Sequence, residues 1–341
     1  MKALPKVSII IPVKNPGKIL ERVLSSIYDQ SYPSSFEIII IDSGSVDGTL
    51  EFLNESKKNN PILKVYSIPS SEFGHGKTRN LAIQKSSGEL VAVLTHDATP
   101  VNQYWLSNLV QPFLENDSVA GVFGRHYAYE DADIFTKREL NQHFDGFNRT
   151  PPITYYKIED FDSYYKNKNL QMFYCFFSDN NAMLRKSVWE KIPYEDVNFA
   201  EDQKWAKAIL ENGYTKAYAD QAIVYHSHNY TITEVFRRSF EEAVSFQLHF
   251  QHRVIESILT LVKIILIRTR IEYSVTIRSR DLSFFKKIYL LFNRPIYNLF
   301  RFGGYYLGSN RKISNLLYNR VSLDHKLFTE GKGRSKDKNN D

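Results

Sequence analysis

Over its first 125 residues the chain alternates short β-branched runs with segments of helical spacing, and this alternation limits the possible folds more than any other feature. Residues 6–13, 36–42 and 89–95 are apolar almost throughout, as suits strands of a sheet covered on both faces. Residues 63–68 and 120–125 read as further strands. Between them, residues 16–29 carry apolar side chains at 19, 20, 23, 24 and 27, the spacing of one helix face. Residues 46–54, 77–85 and 102–114 also read as helices. Repeated units of this length predict an α/β fold, a Rossmann-like, mostly parallel sheet with helices on both faces.

Residues 126–172, rich in Asp, Tyr, Asn and Lys, read as a loop-rich insertion with one helix near 133–144. Regular structure resumes at 172–177, followed by a helix over 200–213 and strands near 216–218 and 222–226. From 231 to about 319 the pattern is mainly helical, with basic and aromatic residues interleaved. The expected organisation is a domain over 1–230, a helical basic and aromatic segment over 231–325, and a charged, apolar-poor tail over 326–341 that reads as disordered.

Charge is divided unevenly. Residues 235–341 hold 20 Lys and Arg against 9 Asp and Glu, whereas residues 1–234 hold 24 against 29. The basic part suggests an anionic partner, a membrane surface or a polyanion. Arg interleaved with Phe, Tyr and Leu suits an interfacial helix, with packing on the first domain or an oligomer contact as the other readings. No recognition motif accompanies the charge, so nucleic acid is not expected as a partner. The single Cys175 excludes an internal disulfide and a cysteine zinc site, and points to a reducing, cytoplasmic setting. The apolar run 7–13 is too short for a signal-peptide core, and the longest apolar candidate for a span, 255–267, is broken by Lys263. The expected location is therefore cytoplasmic, with peripheral contact to the inner face of the plasma membrane. A nicotinamide dehydrogenase or P-loop enzyme would need glycine motifs that the sequence lacks.

Ligands of an open parallel sheet bind at the carboxyl ends of its strands. Those ends hold Pro12, Asp42-Ser43, and His96-Asp97. A carboxylate at Asp42 can accept the N3–H of uracil or thymine, although an Asp there also makes turns. Gly74 and Gly76 open a helix whose free N–H groups favour an anion, and His75, Lys77 and Arg79 add charge suited to a diphosphate. Asp97, leaving an apolar strand, can hold a divalent cation, which usually takes one or two protein carboxylates plus substrate phosphates. His226 and His228 follow a strand with i, i+2 spacing, and either could join the metal. Glu201-Asp202 opens a helix, where acids serve equally as caps or as a general base.

Taken in order, 6–13, then Ile41-Asp42-Ser43-Gly44-Ser45-Val46-Asp47-Gly48-Thr49, then Thr78-Arg79-Asn80, Thr95-His96-Asp97 and Glu201-Asp202, the chain resembles family 2 glycosyltransferases of the GT-A fold over about residues 5–230. His75 to Asn80, Thr95 to Ala98 and His226-Ser227-His228 resemble bacterial dTDP-rhamnosyltransferases of surface polysaccharide synthesis. The resemblance implies an inverting, metal-dependent transfer of a sugar, L-rhamnose from dTDP-L-rhamnose, to a hydroxyl of a polysaccharide or lipid-linked acceptor. A UDP-hexose or UDP-N-acetylhexosamine enzyme and an inactive sugar-nucleotide-binding scaffold are the alternatives. It places Asp42 at the base, with Pro12, Ser43, His75, Lys77, Arg79 and His96 around the donor. Asp97 with His226 or His228 would hold Mg²⁺ or Mn²⁺, Asp202 of the Glu201-Asp202 pair would be the base, and Asp179 and Asn180 would lie near the acceptor. Thr95 stands where the family has a first Asp, and Ser43 where it commonly has a second.

Overall fold

A computed structural model describes residues 4–197 and 199–321; the tail 326–341, expected to be disordered, lies outside the described residues. The chain divides into two compact units, with the division between His228 and Asn229.

The first unit runs β1 (Val7–Val13), α1 (Ile19–Tyr28), β2 (Phe36–Asp42), α2 (Thr49–Asn59), β3 (Leu63–Ser67), α3 (His75–Lys85), β4 (Leu90–Leu94), β5 (Thr99–Pro100), α4 (Trp105–Glu115) and β6 (Val119–Tyr127). It continues with α5 (Ile134–Asp145), β7 (Ile153–Tyr156), α6 (Phe161–Lys166), α7 (Lys168–Cys175), β8 (Asn181–Arg185), α8 (Lys186–Trp189), α9 (Glu201–Glu211) and β9 (Thr215–Tyr225). The strands form one sheet in the order β3-β2-β1-β4-β8-β6-β9-β5, with β7 also paired to β9. Successive residues of β1 enter opposite core layers, Ile9 and Ile11 on one face with Trp105, Ile10 on the other with Trp205. This two-sided burial is why the strand sequences are apolar runs rather than alternating patterns.

Strands β3, β2, β1 and β4 are mutually parallel, as are β6 and β9. Strand β8 lies between β4 and β6 and is antiparallel to both. Two reversals restore direction, so the carboxyl ends of β1, β2, β3, β4, β6 and β9 share one rim with the start of β8. Strand β8 was not expected from the sequence, because its first residue, Asn181, closes an Asp-Asn-Asn run that resembles a turn. The insertion expected over 126–172 holds more than its one helix: α5 is joined by β7, α6 and most of α7. The strands expected near 216–218 and 222–226 are one strand, β9, with a register shift where it passes Gly124 and Arg125.

Asn181 ties this part of the sheet together. Fully buried, it accepts from the Trp105 indole N–H (2.8 Å) and donates to the carbonyls of Ala222 (2.7 Å) and Arg125 (3.1 Å). Gly124 is glycine because a Cβ there would lie 2.1 Å from the Ala222 carbonyl oxygen and 2.4 Å from the Asn181 amide nitrogen.

The second unit contains α10 (Ile232–Phe250), α11 (Ile258–Arg278), α12 (Phe284–Ser309) and α13 (Arg311–Val321), the helical segment the sequence indicates. Thr231 and Glu234 form a reciprocal capping box at the start of α10. Gly304 and Gly308 let α12 close on α10, since a Cβ at either would come within 2.4 Å of a carbonyl oxygen, of Phe236 or Phe240. Glu272 of α11 accepts two bonds from the Arg294 guanidinium of α12 (2.8 and 2.9 Å) and one from Asn298 (2.7 Å). No described helix is long and apolar enough to cross a membrane.

Replacing Asn181 with Ala strands an indole N–H and two carbonyls in the core, at about 1–3 kcal/mol for each unpaired group. Asn181→Ala should therefore lower the urea midpoint strongly at an unchanged slope; a midpoint within error of the parent would show that the three bonds are dispensable.

Candidate active site

Three side chains converge beyond the ends of β4 and β9. Asp97 lies 3.6 Å from His226 Nε2 through one carboxylate oxygen and 3.6 Å from His228 Nε2 through the other. Ligand atoms of all three lie within 4.8 Å of one another. One carboxylate oxygen and two imidazole nitrogens form a donor set that transition metals such as Mn²⁺ accept and that Mg²⁺, which prefers oxygen, accepts less well. The i, i+2 spacing anticipated this cluster, and both histidines face Asp97 rather than one. Burial pushes the Asp97 carboxyl up, but His226, His96 and His228 together hold it below its ordinary value.

Neighbouring groups fix the cluster. The Asn180 amide is 3.5 Å from His226 Nδ1, on the far side of the ring from Asp97. Ser227, between the two histidines, accepts from the Tyr129 backbone N–H (3.0 Å), and the Tyr129 hydroxyl donates to the Asp97 carbonyl (2.9 Å). His126, buried beside the His226 ring at 5.4 Å, was missed in the sequence. Burial and neighbouring histidines push it well below its ordinary value, which leaves it a neutral packing partner.

The second cluster centres on Arg79 of α3, a cation buried among acids. Its Nε lies 3.0 Å from Asp179 Oδ2, and its Nη1 donates to Glu201 Oε1 at 2.5 Å. Tyr194 donates its hydroxyl to the other oxygen of Asp179 (2.8 Å). Ala200 adopts a left-handed conformation (φ 61°) immediately before α9 and turns Glu201 and Asp202 into place. Asp202 accepts from the backbone N–H of Asp179 (3.2 Å) and of Gln203 (2.7 Å). Burial, reinforced by Glu201 and Asp179, raises the Asp202 carboxyl well above its ordinary value, with Arg79 opposing. A carboxylate raised in this way and still partly open to solvent has the heightened proton affinity that a general base needs.

This arrangement corrects several expectations. Arg79 is held by carboxylates and is not a free cation for a diphosphate. Glu201 is spent on Arg79, so of the acidic pair only Asp202 retains the features of a base. Asp179 is buried behind the same guanidinium rather than open to an acceptor, whereas Asn180 stands beside His226. The start of α3 is not an open anion cradle: a Cβ at Gly76 would lie 2.1 Å from the Glu195 carbonyl oxygen, and one at Gly74 would lie 3.0 Å from Asp196 Oδ1. Both glycines admit the overlying loop. Lys77 is exposed on α3, and His75 packs edge-on against Phe73.

On the other side of the rim, fully buried Asp42 accepts from the backbone N–H groups of Gly44 (3.0 Å) and Ser45 (3.2 Å), which is the turn role weighed for it. The buried Ser43 hydroxyl has no hydrogen-bond partner among the described residues. Asn15 accepts from the Val46 backbone N–H (2.8 Å) and its own N–H donates to Ser45 (2.9 Å), which joins the loop that follows Pro12 to the one that follows Asp42.

The profile of the family described as glycosyl transferase family 2 matches residues 8–192. The chain belongs to that family. It is therefore a sugar-transferring enzyme of the inverting class. It is 33% identical over 243 residues to the O-antigen chain rhamnosyltransferase RfbN of Salmonella typhimurium strain LT2, covering 70% of this chain and 72% of the relative. It is 31% identical to the O-antigen chain rhamnosyltransferase WbaN of Salmonella anatum, covering 71% and 72%. Among solved structures, it superposes on a mannosyltransferase from Pyrobaculum calidifontis, solved with GDP-Man and Mn²⁺, with TM-score 0.54 at 17% identity, covering 98% of this chain and 81% of that one. Likeness at that identity establishes the fold, the GT-A arrangement the sequence resembles.

Arg79→Met leaves Asp179 and Glu201 as unpaired buried charges, which should cost about 3–5 kcal/mol, and Arg79→Lys should recover only part of it because a point charge cannot span both acids. Unfolding in urea measures both; equal stability of Met, Lys and parent proteins would remove the clamp from the account.

Proposed function

We propose that this enzyme transfers L-rhamnose from dTDP-L-rhamnose to a hydroxyl of a lipid-linked glycan during synthesis of a bacterial surface polysaccharide. The observation that carries the proposal is the Asp97, His226 and His228 cluster, joined towards Asp202 by adjacent residues: Asn180 lies against His226 and the Asp179 backbone N–H donates to Asp202. The sugar is suggested by the two rhamnosyltransferase relatives. Residues 1–230 act as the catalytic domain and residues 231–325 as an accessory segment. The buried lone Cys175 suits a reducing setting, the cytoplasmic side where sugar nucleotides are available.

Pro12 and Ser43, at the rim beside the turn that Asp42 holds, would border the nucleoside, with His96 next to Asp97. Asp97, His226 and His228 would hold a divalent cation, and their two imidazoles would favour Mn²⁺ over Mg²⁺. When bound, the cation supplies charge neutralisation for a departing diphosphate. Asp202 takes the proton of the acceptor hydroxyl as that oxygen bonds to the anomeric carbon. The bond from that carbon to the diphosphate breaks on the opposite face, which inverts the configuration. Glu201 and Asp179 act through Arg79 by fixing the base and do not touch the substrate. A pocket of about 490 Å³ lined by Tyr127, Tyr225, Lys137 and Asn141 offers the acceptor a polar, aromatic seat, and Tyr225 immediately precedes His226.

Asp202→Asn should reduce transfer at least about a hundredfold while donor affinity by calorimetry stays within a factor of about two. In the parent enzyme kcat/KM should fall as pH drops through a value above the ordinary carboxylate range, because the raised Asp202 carboxyl becomes protonated there. Substantial turnover by the Asn variant, or an acid limb at the ordinary carboxylate position, would dismiss Asp202 as the base. A thermal-shift comparison of dTDP-L-rhamnose with UDP-sugars tests the donor.

A further inference from the structure

Among the described residues the second unit leaves a large apolar surface uncovered. On α12, Phe285, Ile288, Tyr289, Phe292, Ile296 and Leu299 follow one another at intervals of one, three or four residues, and each is exposed. They occupy one face of the helix. Leu290, Arg294 and Asn298, which are buried, occupy the opposite face. Phe285 is 80% exposed and Phe292 76%. On α11, Leu259 (81% exposed), Val262, Leu266 and Ile277 are likewise open. Isolated apolar side chains on a surface need no explanation, but a continuous stripe of this kind marks a contact.

The charges beside the stripe indicate what covers it. From Ile258 to Ser309 the two helices and their connection carry nine Lys and Arg and two acids, and one of those acids, Glu272, is buried against Arg294. Lys263, Arg270, Arg278, Arg280 and Lys286 are exposed, against Asp281 as the only exposed acid of these helices and their connection. Lysine is depleted at protein–protein interfaces, whereas aromatic and aliphatic residues flanked by Lys and Arg fit the acyl–headgroup boundary of an anionic bilayer. Long basic side chains there extend to the phosphates while their stems stay apolar. The face opposite the stripe carries the Glu272, Arg294 and Asn298 network, so α12 presents apolar residues on one side only, as a helix lying in the surface plane requires.

We infer that the exposed faces of α11 and α12 bind the surface of a bilayer containing anionic phospholipid, with Phe285, Phe292, Ile296 and Leu299 entering the acyl boundary and the flanking Lys and Arg paired with headgroup phosphates. This extends the reading of a lipid-linked acceptor by naming the surface that meets the lipid. It is read by vesicle binding and not by sugar transfer, so either reading can fail without the other.

The test is flotation of the full chain with vesicles of phosphatidylcholine alone, or of phosphatidylcholine mixed with phosphatidylglycerol, at low and high salt. The parent should float with the mixed vesicles, and less so at high salt. Phe285→Glu combined with Phe292→Glu alters two exposed side chains, so the fold should survive, as circular dichroism and donor binding would verify. Its partitioning should drop on the order of a hundredfold, the effect of withdrawing two buried aromatic side chains from an apolar phase. Lys263→Glu combined with Lys286→Glu should abolish the preference for the anionic vesicles. A parent that stays in solution with both vesicle types overturns the inference. So does a Phe285, Phe292 double variant that floats like the parent, or one that instead converts a dimer to a monomer by light scattering, because a second copy would then cover the stripe.

Discussion

The candidate site depends on one buried guanidinium. Arg79 comes from α3, Asp179 from the residues leading into β8, and Glu201 from the start of α9, so a single side chain joins parts of the chain more than 120 residues apart. Burying three charges is costly unless each is paired, and two carboxylates on one fork-shaped cation satisfy that condition while fixing direction. Asp202, next in sequence to Glu201 and bonded to the backbone N–H of Asp179, has its position set by this clamp. Burial, then neighbouring negative charge, raise its proton affinity, so the structure that orients the carboxylate also tunes it.

Sheet topology does the corresponding work for the cation cluster. Because β8 runs against both β4 and β6, the strand that precedes Asp97 and the strand that precedes His226 point the same way, although more than 100 residues separate them. Asn181, at the start of β8, holds Trp105 and the β6 and β9 backbones at that end. The residue immediately before it, Asn180, touches His226. A short antiparallel strand thus connects core packing to site geometry, and its leading Asp-Asn-Asn serves the clamp, the imidazole and the core in turn.

Much of this was legible because it rests on local signals. The Ile-rich runs of β1 and β2 announce a sheet covered on both faces, and Asp97, His226 and His228 could be proposed together because each follows a strand. What escaped the sequence depends on tertiary neighbours. Gly76 looks like an anion loop, and only the fold shows the Glu195 carbonyl occupying the space a Cβ would fill. Arg79 looks like a free cation until its two acids are seen, and His126 carries no motif. The five-residue β8 is too short for periodicity to separate it from the turn before it.

The most direct test of the arrangement is a crystal structure of the chain with Mn²⁺ and dTDP, collected at the manganese absorption edge. The account predicts one anomalous peak bonded to Asp97, His226 Nε2 and His228 Nε2, with diphosphate oxygens completing the coordination and the Asp202 carboxylate facing the same cleft. Manganese bound elsewhere, or bound by Asp97 with both imidazoles turned away, would contradict it.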